Sequence, residues 1–375
     1  MPINIMELPF IKGLDLCEHF FLEAVRPLLD HHFPGLRYAA GRLGGGSDVL
    51  GFDTPQSRDH DWGPRGTLFL AEVDFTELAP SIDQLLRENL PLTFRGYPTH
   101  YGRHPDGSLN LEYIDAGPVN HMITITTAAR FAQAYLALDI RQPLQPVDWL
   151  CLPSQPLATV RNGRLFHDTL GEMTQLRQTL HFYPHDLWLY LLAGQWTRIG
   201  QEDVFVSRTG DVGDDLGSRL IAARQIQNIM RLAFLLEEKY APYIKWFGTA
   251  FAQLSCATDL KPIFNRIWQA ESWQPREAAL NEAYLYLARW HNRLQLTDPL
   301  PAEEGFFHER PYRVINSEQY AGTLYNQIQD PQVRALPRGL GSLDQLSDST
   351  DILSAPRRYP MFAALFTPNN LDKKT

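Results

Sequence analysis

The chain has 375 residues, 44% hydrophobic and 21% charged, which suits a soluble globular protein of two or three domains with more than one substantial core. Its 34 basic residues against 43 acidic ones leave a net charge of −9, which argues against broad binding of nucleic acid or of an anionic membrane surface while allowing a local basic groove. No apolar run approaches the ~20 residues of a membrane helix, MPINIMELPF lacks the basic segment of a secretory signal, and the three scattered cysteines (Cys17, Cys151, Cys256) suit buried thiols, so a cytoplasmic location is expected.

Leu14, Cys17, Phe20, Phe21, Ala24, Val25, Leu28 and Leu29 recur at helical spacing and predict an amphipathic helix over residues 12–30. Next come a glycine turn, strands at Ser47–Phe52 and Gly66–Phe75, a helix at about 80–89, a strand at Leu92–Tyr97 and a hairpin turn at HPDGS. A strand at His121–Thr127 and a helix at about 126–138 follow, before a proline-containing exit near residue 150. The order predicts a small mixed α/β sheet with helices against a face, over residues 1–150.

From about residue 165 the pattern is largely helical, with segments near 168–181, 184–200, 216–240, 243–255 and 276–296, and predicts an all-α bundle over 151–300. Repeated prolines after Pro299 break any long element, so 301–375 reads as an irregular extension packed on the bundle, with NNLDKKT as a loose tail. The fold class expected is therefore α/β plus all-α.

The most informative stretch is GGGSDVLGFDTPQSRDHDWGPR, residues 44–65. Gly44, Gly45 and Gly46 have no Cβ, accept positive φ and let successive N–H groups approach a phosphate, where Ser47 adds a hydroxyl. If Arg58–Trp62 is extended, Asp59 and Asp61 project from one face of a strand, and two hard oxygen ligands suit Mg²⁺ and a triphosphate. Glycine runs and Asp-x-Asp pairs also occur in ordinary turns and caps. Arg58, Arg65 and Lys245, the last beside Trp246, are candidate phosphate-binding cations.

Gly46-Ser47, eleven residues, then Asp59-His60-Asp61 resembles the signature of the nucleotidyltransferase superfamily, which includes DNA polymerase beta and the aminoglycoside nucleotidyltransferases. GSDVLGFDTPQSRDHDWGPR, FRGYPTHYGR, QEDVFVSRTGDVGDDLGSRLIAARQ, KYAPYIKWFGTAF and DSTDIL, spread from about residue 44 to 360, resemble the bacterial family catalogued as domain of unknown function 4037. The resemblance implies a nucleotidyltransferase-type domain followed by helices, with ATP or another NTP as substrate and Mg²⁺ or Mn²⁺ on Asp59 and Asp61. It implies transfer of a nucleotide, AMP by preference, to a hydroxyl of a small molecule or protein, with release of pyrophosphate. Active superfamily members usually carry a third carboxylate on a later strand. The strand HMITITT has none, leaving Glu112, Asp115 and the base His121 as substitutes, and leaving open an inactive nucleotide-binding module. A metal-dependent phosphohydrolase is a further alternative.

Residues 198–224 concentrate charge among glycines. Glu202, Arg208, Asp211 and Asp214 are candidate acceptor-binding residues; the plainer reading is a helix N-terminus capped by Asp214 or Asp215 and steadied by surface ion pairs. Pro184 between His181 and His185 disfavours a zinc site there.

Overall fold

The helical spacing between Leu14 and Leu29 winds residues Gly13–Phe20 (α1) and Arg26–His32 (α2) into one run, joined by the π-helical turn Phe21–Val25. Leu16, Phe20, Phe21, Val25 and Leu29 are buried along its apolar face and belong to the same core as Ala40, Leu68 and Ile123 of the sheet. The computed structural model describes residues 5–105 and 107–367, so Asp106 of the HPDGS turn and the NNLDKKT tail lie outside the described residues. Two units are distinguished: one runs to Pro143 and resumes at Pro156–His181, the other comprises Leu144–Gln155 and Phe182 onward.

In the first unit the strands are β1 (Tyr38–Arg42), β2 (Arg65–Leu70), β3 (Thr93–Phe94), β4 (Tyr97–Pro98), β5 (His100–Arg103), β6 (Leu109–Glu112), β7 (Met122–Thr126) and β8 (Arg164–Asp168). The main sheet has the order β7-β2-β1-β8. Strand β1 lies antiparallel to both β2 and β8, whereas β2 and β7 are parallel. That parallel pair requires a crossover, which is supplied by α3 (Glu72–Asn89) and the hairpins β3–β4 and β5–β6; α4 (Ala128–Leu136) follows β7. Gly41 is needed where β1 meets β8, because a Cβ there would approach the Arg164 carbonyl to 2.6 Å.

Several expected elements are corrected. Ser47–Phe52 is a run of turns, closed by Gly51 N–H to Asp48 O at 3.0 Å and Phe52 N–H to Ser47 O at 2.9 Å, with Gly51 at φ 78°. The strand expected over 66–75 ends at Leu70, since Glu72 and Asp74 form an acidic first turn and carry Val73 and Phe75 into α3. Leu92–Tyr97 splits into a hairpin at Arg95 and Gly96, both left-handed. The chain beyond 165 returns to the first unit: Arg164–Asp168 forms the edge strand β8, where a helical region was expected.

The remaining helices are α5 (Pro146–Cys151), α6 (Ser154–Asn162), α7 (Glu172–Thr179), α8 (His185–Gly200), α9 (Phe205–Asp211), α10 (Asp215–Leu236), α11 (Ile244–Phe251), α12 (Ala257–Gln269), α13 (Trp273–Arg293), α14 (Ser317–Gln327), α15 (Pro331–Arg334), α16 (Leu343–Leu346) and α17 (Thr350–Leu353). The expected boundary near 150 becomes a double crossing, since α6 contains the division at Gln155 and Pro156, and α7 lies in the first unit. Within the second unit α8 is buried on nearly all sides. Its Trp196 stacks on Tyr320 of α14 with ring centroids 4.6 Å apart, so the segment after residue 300 contributes to the same core. The cysteines are free and buried. Among the described residues no helix is long and apolar enough to cross a membrane. The protein is thus a mixed α/β fold with a four-stranded mixed sheet and a large helical content.

Asp203, between α8 and α9, is buried, and burial pushes its pKa up to about 7 against the opposing hydrogen bonds from the Val204 and Ile315 N–H groups. The folded state then holds a proton that the unfolded chain releases near pH 4, so this stabilisation is present at low pH and is lost as pH rises through about 7. Urea unfolding of the wild type and Asp203→Asn between pH 5 and 8 should show the wild type losing about 2–3 kcal/mol relative to the variant. A difference independent of pH would show that Asp203 ionises normally.

Candidate functional site

Because β1 and β2 are antiparallel, with Gly41 opposite Thr67, the last residue of one and the first of the other meet at the same end of the sheet. Those residues are Arg42 and Arg65, and both converge on one carboxylate, Asp48, in the turn after the glycines. Arg42 Nε and Nη2 donate to Asp48 Oδ2 and Oδ1 at 2.8 and 2.9 Å, and Arg65 Nη2 donates to the same two oxygens at 3.1 and 3.2 Å. All three side chains are buried, at 6%, 8% and 2% exposure for Arg42, Arg65 and Asp48. Burial alone pushes the Asp48 carboxyl up, but the charges and hydrogen bonds of Arg42 and Arg65 outweigh it and hold the group below the usual carboxylate range.

The glycine loop lies directly on this cluster. Arg42 donates to the Leu43 carbonyl at 2.8 Å and to the Gly45 carbonyl at 2.5 Å, which fixes the loop's path. Gly46 has φ 139°, and a side chain there would collide with the Asp48 carboxylate and the Arg42 guanidinium. Gly44 rests against the stacked rings of Phe131 and Tyr135, which are 5.5 Å apart and 13° from parallel. Gly45 is exposed, and Gly46 and Ser47 are half-exposed. Two guanidiniums share one carboxylate, so the cluster carries one net positive charge beneath an open backbone turn. Arg65 Nε is buried and, among the described residues, has no hydrogen-bonding partner.

A second buried carboxylate braces the same corner. Asp53 Oδ2 accepts from the Gly13 N–H at 2.6 Å, which satisfies an N-terminal donor of α1, and from Trp62 Nε1 at 3.4 Å; Lys12 Nζ lies 3.3 Å from Oδ1. Gly13 fits only because it is glycine: a Cβ would come within 2.6 Å of Asp48 Cβ and 3.0 Å of Trp62 Nε1. Neither Arg42, Asp48 nor Asp53 was singled out from sequence. Their signal was the density of charge in a stretch rich in apolar residues and glycine.

Asp59 and Asp61 are held differently from the strand expected. Pro55 opens a 3-10 helix, Pro55–Asp59, and Gly63 at φ 135° with Pro64 delays strand pairing until Arg65. The flanks are fixed: Trp62 is buried, and Arg58 donates to the carbonyls of Pro55, Ile5, Leu8 and Met6 at 2.9 to 3.0 Å. Asp59, His60 and Asp61 are exposed between these anchors. The Asp59 carboxylate meets the His60 N–H at 3.1 Å and Nδ1 at 3.2 Å. Asp61 is left-handed at φ 46°, its N–H donates to Leu109 O at 2.8 Å and its Oδ1 accepts from Leu109 N at 3.3 Å. The two carboxylates thus have different partners and do not share a strand face.

The other candidates have structural engagements. Arg58 is committed to backbone carbonyls. His121 is buried, its Nδ1 accepting from Ile123 N at 3.2 Å, and burial depresses its pKa against the pull of Asp83. Glu112 is exposed on the small β5–β6 hairpin, outside the main sheet. In the second unit, exposed Lys245 lies over its neighbour Trp246 at 5.2 Å. Glu202 pairs with Arg224 at 2.7 Å, Arg208 lies over Phe205 at 5.8 Å, Asp211 accepts from the Tyr312 hydroxyl at 2.9 Å, and Asp214 caps α10 by accepting from Gly217 N–H at 2.8 Å. Among the described residues, no three His, Cys, Asp or Glu side chains are grouped to hold a metal ion.

Removing Asp48 would leave two buried guanidiniums facing each other without a counter-charge. Asp48→Asn should therefore cost about 3–5 kcal/mol in urea unfolding at neutral pH. In the wild type the Asp48 contribution should persist above about pH 4 and be lost as acid protonates the carboxylate, because its folded pKa is depressed. A cost under about 1 kcal/mol would mean the cluster is not a stabilising unit.

No curated protein matches the chain. Among solved structures it is similar to a nucleotidyltransferase-like protein from Exiguobacterium sibiricum 255-15, at 10% identity and a TM-score of 0.31, over 81% of this chain and 89% of that one. A likeness at that level does not establish a shared activity. Residues 149–247, from Trp149 in α5 to Phe247 in α11, match the family described as Domain of unknown function (DUF4037).

Proposed function

We propose that the glycine loop holds the phosphates of a nucleoside triphosphate and that the protein transfers a nucleotide from it to a hydroxyl acceptor. The observation that carries this reading is the turn Gly44–Ser47, exposed at Gly45 and half-exposed at Gly46 and Ser47, seated on the Arg42–Asp48–Arg65 cluster with its single net positive charge. Backbone N–H groups and the Ser47 hydroxyl supply neutral donors, and Arg65 supplies the charge.

Asp59 and Asp61 fit the oxygen chemistry of Mg²⁺, being exposed carboxylates two residues apart on a turn with buried anchors on both sides. Asp59 and Asp61 are the residues that would hold such an ion, with water and phosphate oxygens completing its ligands. When bound, the ion would neutralise charge on the triphosphate. The chain's own part is to fix the donor loop through Arg42, to keep Asp59 and Asp61 exposed through Arg58 and Trp62, and to hold the cationic end of β2 beside the loop. An AMP donor and a small-molecule or protein hydroxyl acceptor belong to this proposal.

A second reading, an inactive module that binds nucleotide without transfer, is favoured by the carboxylate-free strand β7 and by the burial of His121. Incubating the protein with Mg²⁺, α-labelled ATP and a metabolite extract separates the two, because only transfer releases pyrophosphate and adds one nucleotide mass to an acceptor. Transfer should drop at least a hundredfold in Asp59→Ala, as loss of an essential charge-stabilising group does. ATP binding without pyrophosphate across broad acceptor pools would select the inactive module, and inorganic phosphate would select a hydrolase. Ser47→Ala should weaken ATP binding about three- to tenfold, the loss of one neutral hydrogen bond.

A further inference from the structure

The second unit contains a hollow that the glycine-loop chemistry does not use. It is lined by Tyr183, Gln195, Arg231, Phe234, Ser342 and Asp344 among others, and its free volume is about 30 Å³, room for a small ion or a water or two. Tyr183, Gln195, Arg231 and Phe234 fall inside the 149–247 family match.

Most polar groups around the hollow are committed. Gln195 Nε2 donates to the Asn228 carbonyl at 3.1 Å while its Oε1 accepts from Gln345 at 2.8 Å. Ser154 donates through Oγ to the Ala241 carbonyl and through its N–H to Asp344, both at 2.6 Å. Lys239 pairs with Glu237 at 2.9 Å.

Arg231 differs. It is half-buried, yet among the described residues its guanidinium meets no hydrogen-bond acceptor and no carboxylate within 4.0 Å; its one close partner is the Phe247 ring, 5.4 Å away. Asp344 and Asp348 attract it from farther off. Tyr183 is buried and lines the hollow, and among the described residues its hydroxyl has no hydrogen-bonding partner. A half-desolvated guanidinium offers five N–H donors in a planar fork, and such a group is stabilised most by a planar or tetrahedral oxyanion that takes two of them at once.

We propose that this hollow binds a small oxyanion, a phosphate or carboxylate group gripped by the fork of Arg231 and by the Tyr183 hydroxyl. The Asp344 carboxyl, which also lines the hollow, favours a ligand that carries an N–H or O–H donor and excludes a bare polyanion.

The site is tested on the full-length protein by calorimetric titration and thermal shift with inorganic phosphate and with acetate, against chloride at the same ionic strength. At least one of the two anions should bind and raise the melting temperature where chloride does not; which one binds distinguishes a phosphate-bearing ligand from a carboxylate. Arg231→Met should weaken that binding at least tenfold, and Arg231→Lys and Tyr183→Phe about three- to tenfold, the lysine variant deciding the matter if the methionine variant does not fold. Binding indistinguishable from chloride overturns the proposal. Binding that survives the Arg231 variants but is lost in Ser47→Ala also overturns it and assigns the anion to the glycine loop. The outcome is independent of whether the protein transfers nucleotides.

Discussion

Arg42 and Arg65 emerge side by side because two antiparallel strands end and begin at the same edge, and neither can turn back to solvent once α1 covers the sheet. A single carboxylate between them is the economical solution, since one unpaired buried guanidinium would cost several kcal/mol. Asp48 must therefore sit where the turn after β1 delivers it, and the turn must be short and tightly coiled. Gly46 at φ 139° and Gly44 at φ 88° make that path sterically accessible. The glycine run is thus required by the charge cluster as much as by any ligand. The same geometry leaves Gly45 exposed and Gly46 and Ser47 half-exposed, so the structural demand and the anion site proposed above share one cause.

Exposure of the acidic corner has a separate cause. Trp62 packs on Phe10 and Tyr97, with centroids 5.8 and 5.2 Å apart, and Arg58 binds four backbone carbonyls. These two immobile residues lie four positions apart, and the three between them have nowhere to go but outward. Asp61 adopts a left-handed backbone, an uncommon state for a residue with a side chain, and is held there by the paired hydrogen bonds with Leu109.

The parts legible in the sequence were those governed by local periodicity. The helical spacing of Leu14 to Leu29, the long run of α10 and the strand at β7 follow from patterns that no tertiary contact overrules. What failed was decided by contacts distant in sequence. Arg164–Asp168 becomes a strand only because β1 presents an open edge to it, and no pattern within LFHD announces that edge. Asp-His-Asp looked like a strand because alternation is the same in a strand and in an exposed turn, and the deciding residues were Pro55, Gly63 and Pro64 on either side. Asp48 was passed over for a related reason: reading carboxylates in pairs favours exposed ligands, while a carboxylate captured by two arginines appears only when strand register is known.

The charge logic of the two units differs in one respect. In the first, a carboxylate is supplied to both arginines by the chain itself, so the cluster is stable and its surplus is one charge. In the second, Arg231 has carboxylates within electrostatic range but none in contact, and the polar residues nearest it are already bonded to one another. Arg231 and Asp344 both line the hollow, and among the described residues no ion pair joins them. Asp344 is instead engaged by the Ser154 N–H, and burial raises its pKa despite Arg231, which weakens any demand for a salt bridge. The guanidinium keeps its donors unpaired by protein carboxylates among the described residues, and these are the donors assigned to the oxyanion proposed above.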